Sequence, residues 1–129
     1  MKNVLIIEDN EYIREALASS LRAHLKDCNI LTAVNGQEGL NLLGSVSLDL
    51  ILTDLQMPVL DGYGVIEYKN INFPHVPLVV MTADTTHKAR ERLNALGISR
   101  YIEKPFDFNE MTGKILDKLA EGPNAVNGF

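Results

Sequence analysis

Polar side chains stand where four apolar, β-branched runs of the sequence end. Glu8 and Asp9 follow the first run, Asp54 ends the third, Thr82 ends the fourth and Lys104 follows the fifth. Three carboxylates brought together repel one another unless a cation joins the group. Because no His or Cys stands beside them, these oxygen ligands suit a hard ion such as Mg²⁺.

The same set of residues suits the handling of a phosphoryl group. Mg²⁺ commonly binds through a few carboxylates together with phosphate oxygens. Lys104 would then act as a point charge and Thr82 as a hydroxyl donor. Phosphoryl transfer depends mostly on positioning and charge neutralisation, and a carboxylate can itself be the nucleophile and form an aspartyl-phosphate.

The elements that must position these residues follow from the hydrophobic pattern. Five apolar or β-branched runs occur at 4–7, 30–34, 50–53, 78–81 and 98–102, and segments of helical periodicity lie between and after them. Of these helices, the third, at roughly 64–70, has the weakest pattern. The alternation predicts a doubly wound (βα)5 domain, a flavodoxin-like α/β three-layer sandwich whose parallel sheet is covered on both faces.

The expected sheet topology brings the polar residues to one edge. For five βα units the common strand order is 2-1-3-4-5, and ligands bind outside the carboxyl ends of the strands where that order reverses, between the first and third strands. Glu8, Asp9 and Asp54 flank this point. The sequence therefore predicts a carboxylate cluster at the switch point of the sheet.

Composition limits the compartment and the partners. The chain has 129 residues, 12 bases against 17 acids and a net charge of −5, so direct nucleic acid binding is not expected. Cys28 is the only cysteine, which excludes an internal disulfide and favours a reducing, cytoplasmic location. No signal peptide or membrane span is predicted. We expect one domain at 1–121 and a flexible tail at 122–129.

Four motifs, each placed after its predicted strand, resemble those of the receiver domains of two-component response regulators, the CheY-like family. They are IIEDN at 6–10, TDLQMPVLDG at 53–62, MTA at 81–83 and YIEKPF at 101–106. Each motif alone is weak, but four in order are a strong signal. The resemblance covers about residues 2–119 and implies the same sheet order.

The resemblance assigns the acids and one carbonyl. Asp54 resembles the phosphoacceptor. Glu8 and Asp9 resemble the acid pair that holds Mg²⁺ or Mn²⁺ together with Asp54, with Asp9 as a direct ligand and Glu8 acting through water. The backbone carbonyl of Gln56 would be the remaining protein ligand.

It also assigns a set of switch residues. Thr82 resembles the hydroxyl that moves onto the phosphoryl oxygen, and Tyr101 the aromatic whose rotamer reports phosphorylation. Lys104 resembles the phosphate-binding lysine, and Pro105 is a candidate for a cis peptide bond. The sequence departs from the family pattern at 98–100 (ISR), where Arg100 puts a cation on the expected output face.

The resemblance implies a phosphoacceptor function without an enzymatic turnover of its own. A sensor histidine kinase or a histidine phosphotransfer protein would donate the phosphoryl group. Output would be protein contact through the face of the fourth helix, fifth strand and fifth helix, by a monomer or a weak phosphorylation-dependent dimer. A single-domain response regulator is the leading hypothesis. The alternatives are a receiver excised from a multidomain regulator or hybrid kinase, and a phosphorylation-independent binding module.

Two enzyme hypotheses fit the residues poorly. Flavin binding in this architecture needs a Gly-, Ser- or Thr-rich loop after the first strand, whereas residues 8–11 (EDNE) would repel phosphate. A phosphatase with an aspartyl nucleophile usually has a second acid two residues later, and here that residue is Gln56. No organic cofactor is predicted.

Overall fold

Five strands alternate with five helices along residues 1–121, the part of the chain that this computed structural model describes. The predicted flexible tail, 122–129, lies outside the described residues. The strands are β1 (Lys2–Ile7), β2 (Cys28–Ala33), β3 (Leu50–Asp54), β4 (Leu78–Thr82) and β5 (Ile102–Glu103). The helices are α1 (Glu11–His24), α2 (Gly36–Ser45), α3 (Gly62–Asn72), α4 (His87–Ala95) and α5 (Phe108–Glu121).

The strands form a parallel sheet in the order β2-β1-β3-β4-β5, which confirms the predicted topology. Ile7 of β1 lies opposite Thr53 of β3, and Asp54 lies opposite Met81 of β4. This register brings the ends of β1, β3 and β4 to the same level at the carboxyl edge of the sheet.

The core has two halves, one on each face of the sheet. On one face, α1 and α5 pack their buried residues, among them Leu17 and Ile115, against β1, β3 and β4. On the other, α2, α3 and α4 pack around Ile66 and Leu93. Every residue of β3 and β4 is buried, because helices cover both faces of the central strands. The predicted three-layer sandwich is therefore confirmed.

The fifth strand is shorter than predicted. The apolar run at 98–102 indicated a strand over its whole length, but only Ile102–Glu103 pairs with β4. Gly97 takes a left-handed φ of 83°, and the Ile98 amide donates to the Leu93 carbonyl at 2.9 Å. Ile98 therefore completes the C-terminal end of α4 and is buried against the core there instead of joining the sheet.

The third helix is longer than the sequence pattern indicated. It covers Gly62–Asn72 because the Asp61 carboxylate caps its first turn, accepting from the Gly64 amide at 3.0 Å. Asn35 caps α2 by accepting from the Glu38 amide at 2.9 Å. Among the helices of residues 1–121, none has both the length and the hydrophobicity needed to cross a bilayer.

Candidate functional site

Three carboxylates meet at the carboxyl edge of the sheet. Glu8 and Asp9 directly follow β1, and Asp54 is the last residue of β3. The ligand oxygens of the three side chains all lie within 4.8 Å of one another. Glu8 is fully buried and Asp54 is 7% exposed, whereas Asp9 faces solvent. The structure thus forms the carboxylate cluster that the sequence predicted.

Lys104 places its ammonium group between two of these acids. Its Nζ donates to Glu8 Oε2 at 2.8 Å and to Asp54 Oδ2 at 2.9 Å. The amide of Lys104 donates to the Thr82 carbonyl at 2.9 Å, which fixes the loop after β5 against the end of β4. One cation therefore offsets part of the negative charge of two largely buried carboxylates.

The electrostatics of this cluster follow from burial and from that contact. Burial raises the pKa of Glu8, although the hydrogen bond from Lys104 opposes the shift. Burial alone would lower the pKa of Lys104, but its hydrogen bonds to Glu8 and Asp54 outweigh burial and raise it. Lys104 is therefore a permanent cation in this site at physiological pH.

The Asp54 carboxylate is oriented by its own loop. Its Oδ1 accepts from the Leu55 amide at 2.8 Å, so each carboxylate oxygen has a described donor. The start of α3 packs directly on this backbone: a Cβ atom at Gly62 would collide with the Asp54 carbonyl. Gly62 is thus needed for the close approach of α3 to Asp54.

Two residues that sequence analysis did not assign hold the β1–α1 loop. The Asn10 amide donates to Glu8 Oε1 at 3.2 Å, and its side chain caps α1 by accepting from the Ile13 amide at 3.0 Å. Arg14 Nη1 donates to the Glu8 carbonyl at 3.0 Å. The position of Asn10 before an apolar-periodic segment is a recognisable N-cap signal, whereas no local pattern indicates the contact of Arg14.

Among the described residues 1–121, no side-chain hydrogen bond joins either predicted switch residue to the carboxylate cluster. Thr82 is 1% exposed, and its hydroxyl accepts from the Asp84 amide at 2.9 Å. Tyr101 is half-buried and packs against the core residues on the α4 side. Gln56 is exposed, two residues beyond Asp54. The Lys104–Pro105 peptide bond is cis.

The donor set fits a hard divalent cation. All three acids offer oxygen ligands only, and the exposed Asp9 opens one side of the cluster to water. Both Glu8 oxygens already accept hydrogen bonds, from the Asn10 amide and from Lys104. This arrangement suits an ion such as Mg²⁺, which keeps several of its waters and needs few direct protein ligands.

The fold and this site together define a class of protein: flavodoxin-like (βα)5 domains with an acidic cluster at the switch point of the sheet. Within that class, the chain belongs to the response regulator receiver domain family, whose model matches residues 4–116. This confirms the family that the sequence motifs indicated. Receiver domains are components of two-component signalling systems.

Among curated relatives, the chain is similar to hybrid signal transduction histidine kinase D of Dictyostelium discoideum, with 29% identity over 118 residues. The match covers 90% of this chain and 7% of that kinase. A probable transcriptional regulator, ycf29 of Pyropia yezoensis, is 32% identical over 93% of this chain and 54% of its own length. The chain thus spans about half or less of these relatives.

Solved structures share the fold. A CheY-like receiver domain protein from Methanospirillum hungatei superposes with a TM-score of 0.85 over 94% of this chain and 95% of that chain, at 23% identity. The response regulator TrrA from Thermotoga maritima, solved in complex with Mg²⁺ and BeF, has a TM-score of 0.77 and 29% identity over 92% of this chain and 99% of that chain.

Proposed function

We propose that Asp54 accepts a phosphoryl group from a phosphohistidine of a sensor histidine kinase or a histidine phosphotransfer protein, and that Mg²⁺ or Mn²⁺ is required. The observation that carries this proposal is the buried Asp54 carboxylate with Lys104 Nζ at 2.9 Å and two further acids beside it. An acid in such a position is poorly explained as a helix cap or a surface residue.

The transfer needs one nucleophile and neutralised charge. An Asp54 oxygen attacks the phosphorus atom, a P–O bond forms, the P–N bond to the donor imidazole breaks, and the imidazole leaves with its electron pair. Asp9, Asp54 and the Gln56 carbonyl would hold the metal ion, with Glu8 acting through water. Bound there, Mg²⁺ would neutralise the charge on the phosphoryl oxygens.

Lys104 supplies the second positive charge from the other side of the acceptor. Its ammonium is already within hydrogen-bond distance of Asp54 Oδ2, where an oxygen of the incoming group would add negative charge. Transfer would thus be promoted by positioning and by charge stabilisation, without a separate general base. The chain modifies its own residue and, on this proposal, catalyses no turnover of a separate substrate.

Phosphorylation would reach the surface through Thr82 and the loop that follows it. Three hydrogen bonds lead from Thr82 to α4. The Thr82 hydroxyl accepts from the Asp84 amide at 2.9 Å, and the Asp84 carboxylate accepts from the Thr86 amide at 3.1 Å. The Thr86 hydroxyl in turn accepts from the Ala89 amide in α4 at 3.2 Å. If the Thr82 hydroxyl moved to the phosphoryl group, its hydrogen bond with the Asp84 amide would break. The face of α4, β5 and α5, including Tyr101, would then change its affinity for a partner.

The domain at 1–121 would act as a single-domain response regulator or as the receiver of a longer protein. Similarity to a hybrid histidine kinase, of which the chain spans 7%, keeps the second arrangement open. A phosphorylation-independent binding module is the weaker alternative, because it would not need three carboxylates and Lys104 assembled at one edge.

Acetyl phosphate labelling tests the proposal. Intact-mass spectrometry should show the mass of one phosphoryl group added in the presence of Mg²⁺ and none in EDTA. Asp54→Asn should abolish the labelling, because an amide is not a nucleophile. Asp27→Asn, which removes an exposed acid away from the cluster, should leave it unchanged. Labelling that persists in EDTA or in Asp54→Asn would refute the assignment.

A further inference from the structure

A groove of about 610 Å³ lies where α4, the loop after α4, β5 and α5 meet. Its rim carries three cations and one acid, Glu103, although the whole chain has 12 bases and 17 acids. Its floor is partly apolar, with the buried Ile98 and the half-buried Tyr101. We call this feature the basic groove; its defining residues are Arg90, Asn94, Ile98, Arg100, Tyr101 and Lys114.

The arginines of the chain divide into two groups by their contacts. Arg14 donates to the Glu8 carbonyl at 3.0 Å, Arg22 donates to the Ile30 carbonyl at 3.1 Å, and Arg92 stacks on the Tyr63 ring at 3.9 Å.

The other two arginines, Arg90 and Arg100, both line the basic groove. Both are exposed, and neither forms a side-chain hydrogen bond or an ion pair with any of the residues that the structure describes. Lys114 lies beside them, at 4.0 Å from Glu110. The two guanidinium groups therefore retain their full capacity for bidentate hydrogen bonds to carboxylates or phosphates.

We propose that the basic groove binds an acidic segment of the partner protein, with carboxylates on Arg90 and Arg100 and an apolar side chain against Tyr101. This inference rests on the proposed switch function for its biological meaning, but the charge of the groove does not depend on phosphorylation. It identifies the chemical class of the output partner, a protein segment rich in Asp and Glu.

The neighbouring surface favours a short acidic segment over a long polyanion. A second groove of about 360 Å³ shares Tyr101, Glu103 and Lys114 with the basic groove and adds two acids, Asp107 and Glu110. A nucleic acid carries phosphates at a continuous spacing and would extend over these acids. A protein segment can end its acidic stretch before it reaches Asp107 and Glu110. The acids beside the basic groove therefore favour an acidic peptide over a nucleic acid.

An NMR titration of the ¹⁵N-labelled chain, residues 1–129, tests the inference. The probe is a short capped peptide of Asp, Glu and Leu, and its control is the same peptide with Asn and Gln in place of the acids. We expect the acidic peptide to shift amides of residues 90–103 and of Lys114, and the control peptide to leave them unchanged. Arg100→Glu should weaken binding by about tenfold. Lys26→Glu, which makes the same charge change at an exposed residue outside the groove, should not.

Each other outcome overturns the inference. Equal shifts with both peptides, shifts confined to other residues, or retained binding in Arg100→Glu would exclude acidic recognition by the groove. Tighter binding of single-stranded DNA would assign the groove to nucleic acid. A dimer without peptide that Arg100→Glu dissociates, seen by sedimentation, would assign it to a second copy. Phosphoryl labelling of Asp54 is measured separately, so loss of labelling with retained peptide binding refutes only the proposed function.

Discussion

Lys104 is the residue on which the charge balance of the site depends. It is the cation that contacts both buried acids, Glu8 at 2.8 Å and Asp54 at 2.9 Å. Lys104→Met would leave two buried carboxylates without that countercharge, so the folded state would hold a proton that the unfolded state releases. A carboxyl whose pKa is raised by folding stabilises the native state below its unfolded pKa, and that contribution disappears as pH rises through the folded pKa.

We therefore expect Lys104→Met to lose stability relative to the wild type as pH rises above the ordinary carboxyl range, by on the order of 3 kcal/mol. Urea unfolding at several pH values measures the difference in the free energy of unfolding. Lys88→Met, at an exposed position in α4, is the matched control and should show no such trend. A difference that stays constant with pH would contradict the assigned role of Lys104.

At the scale of elements, the β3–α3 loop contains a strained residue. Val59 has a φ of 72° and is the one non-glycine residue of 1–121 in the left-handed region. Its side chain is 80% exposed, so packing does not offset the strain. The left-handed conformation costs an L-residue about 1–2 kcal/mol, whereas Asn tolerates it because its side chain hydrogen-bonds locally.

Val59→Asn should therefore raise the free energy of unfolding by about 1 kcal/mol. Val34→Asn changes another exposed valine, outside the left-handed region, and should give no gain. Urea unfolding of both variants at neutral pH makes the comparison. Stabilisation by both substitutions, or by neither, would show that backbone strain at Val59 is not the cause.

The β4–α4 loop connects the end of the sheet to a helix by hydrogen bonds in series. Thr86 caps α4 through the Ala89 amide at 3.2 Å, and its own amide donates to Asp84 at 3.1 Å. Thr86→Ala should cost about 1 kcal/mol of stability, as the loss of an N-cap does. It should also speed amide exchange in the first turn of α4. Asn35→Ala removes the cap of α2 and should lower the free energy of unfolding by a similar amount, but it should leave amide exchange in α4 unchanged. Faster amide exchange in α4 in both variants would argue for global destabilisation.

At the scale of the whole molecule, the acidic cluster should couple metal binding to folding. A cation that binds the folded cluster and not the unfolded chain stabilises the fold by mass action, by about 1.4 kcal/mol at ten times its Kd. For a domain of this size the Tm should rise by about 5 °C. Differential scanning calorimetry with Mg²⁺ and with EDTA measures the rise. Asp9→Asn should abolish it, and a Tm that Mg²⁺ raises equally in that variant would place the ion elsewhere.

The sequence by itself determined the architecture and the composition of the site. Buried parallel strands and amphipathic helices leave local periodic patterns, so the five βα units along the chain could be predicted. The sheet order came from the common arrangement of five such units and from the family resemblance. The acids and Lys104 stand at strand ends, and parallel strands bring their carboxyl ends to one edge whatever the details of packing. The location of the carboxylate cluster followed from that geometry together with the expected strand order, which makes the first and third strands neighbours.

Only the tertiary structure decided the features that depend on distant contacts or on one backbone angle. The apolar run at 98–102 reads as a strand, yet Gly97 and the Leu93 carbonyl turn Ile98 back onto α4. Lys69 of α3 is a charged residue, yet it is only 1% exposed in the fold.

The contacts within the site also depend on the tertiary structure. The contacts of Lys104 with Glu8 and Asp54 join residues 96 and 50 positions apart. The basic groove likewise combines residues from α4, β5 and α5. Periodicity reports which face of an element is apolar, whereas these features arise from the register and rotamers set when the elements pack together.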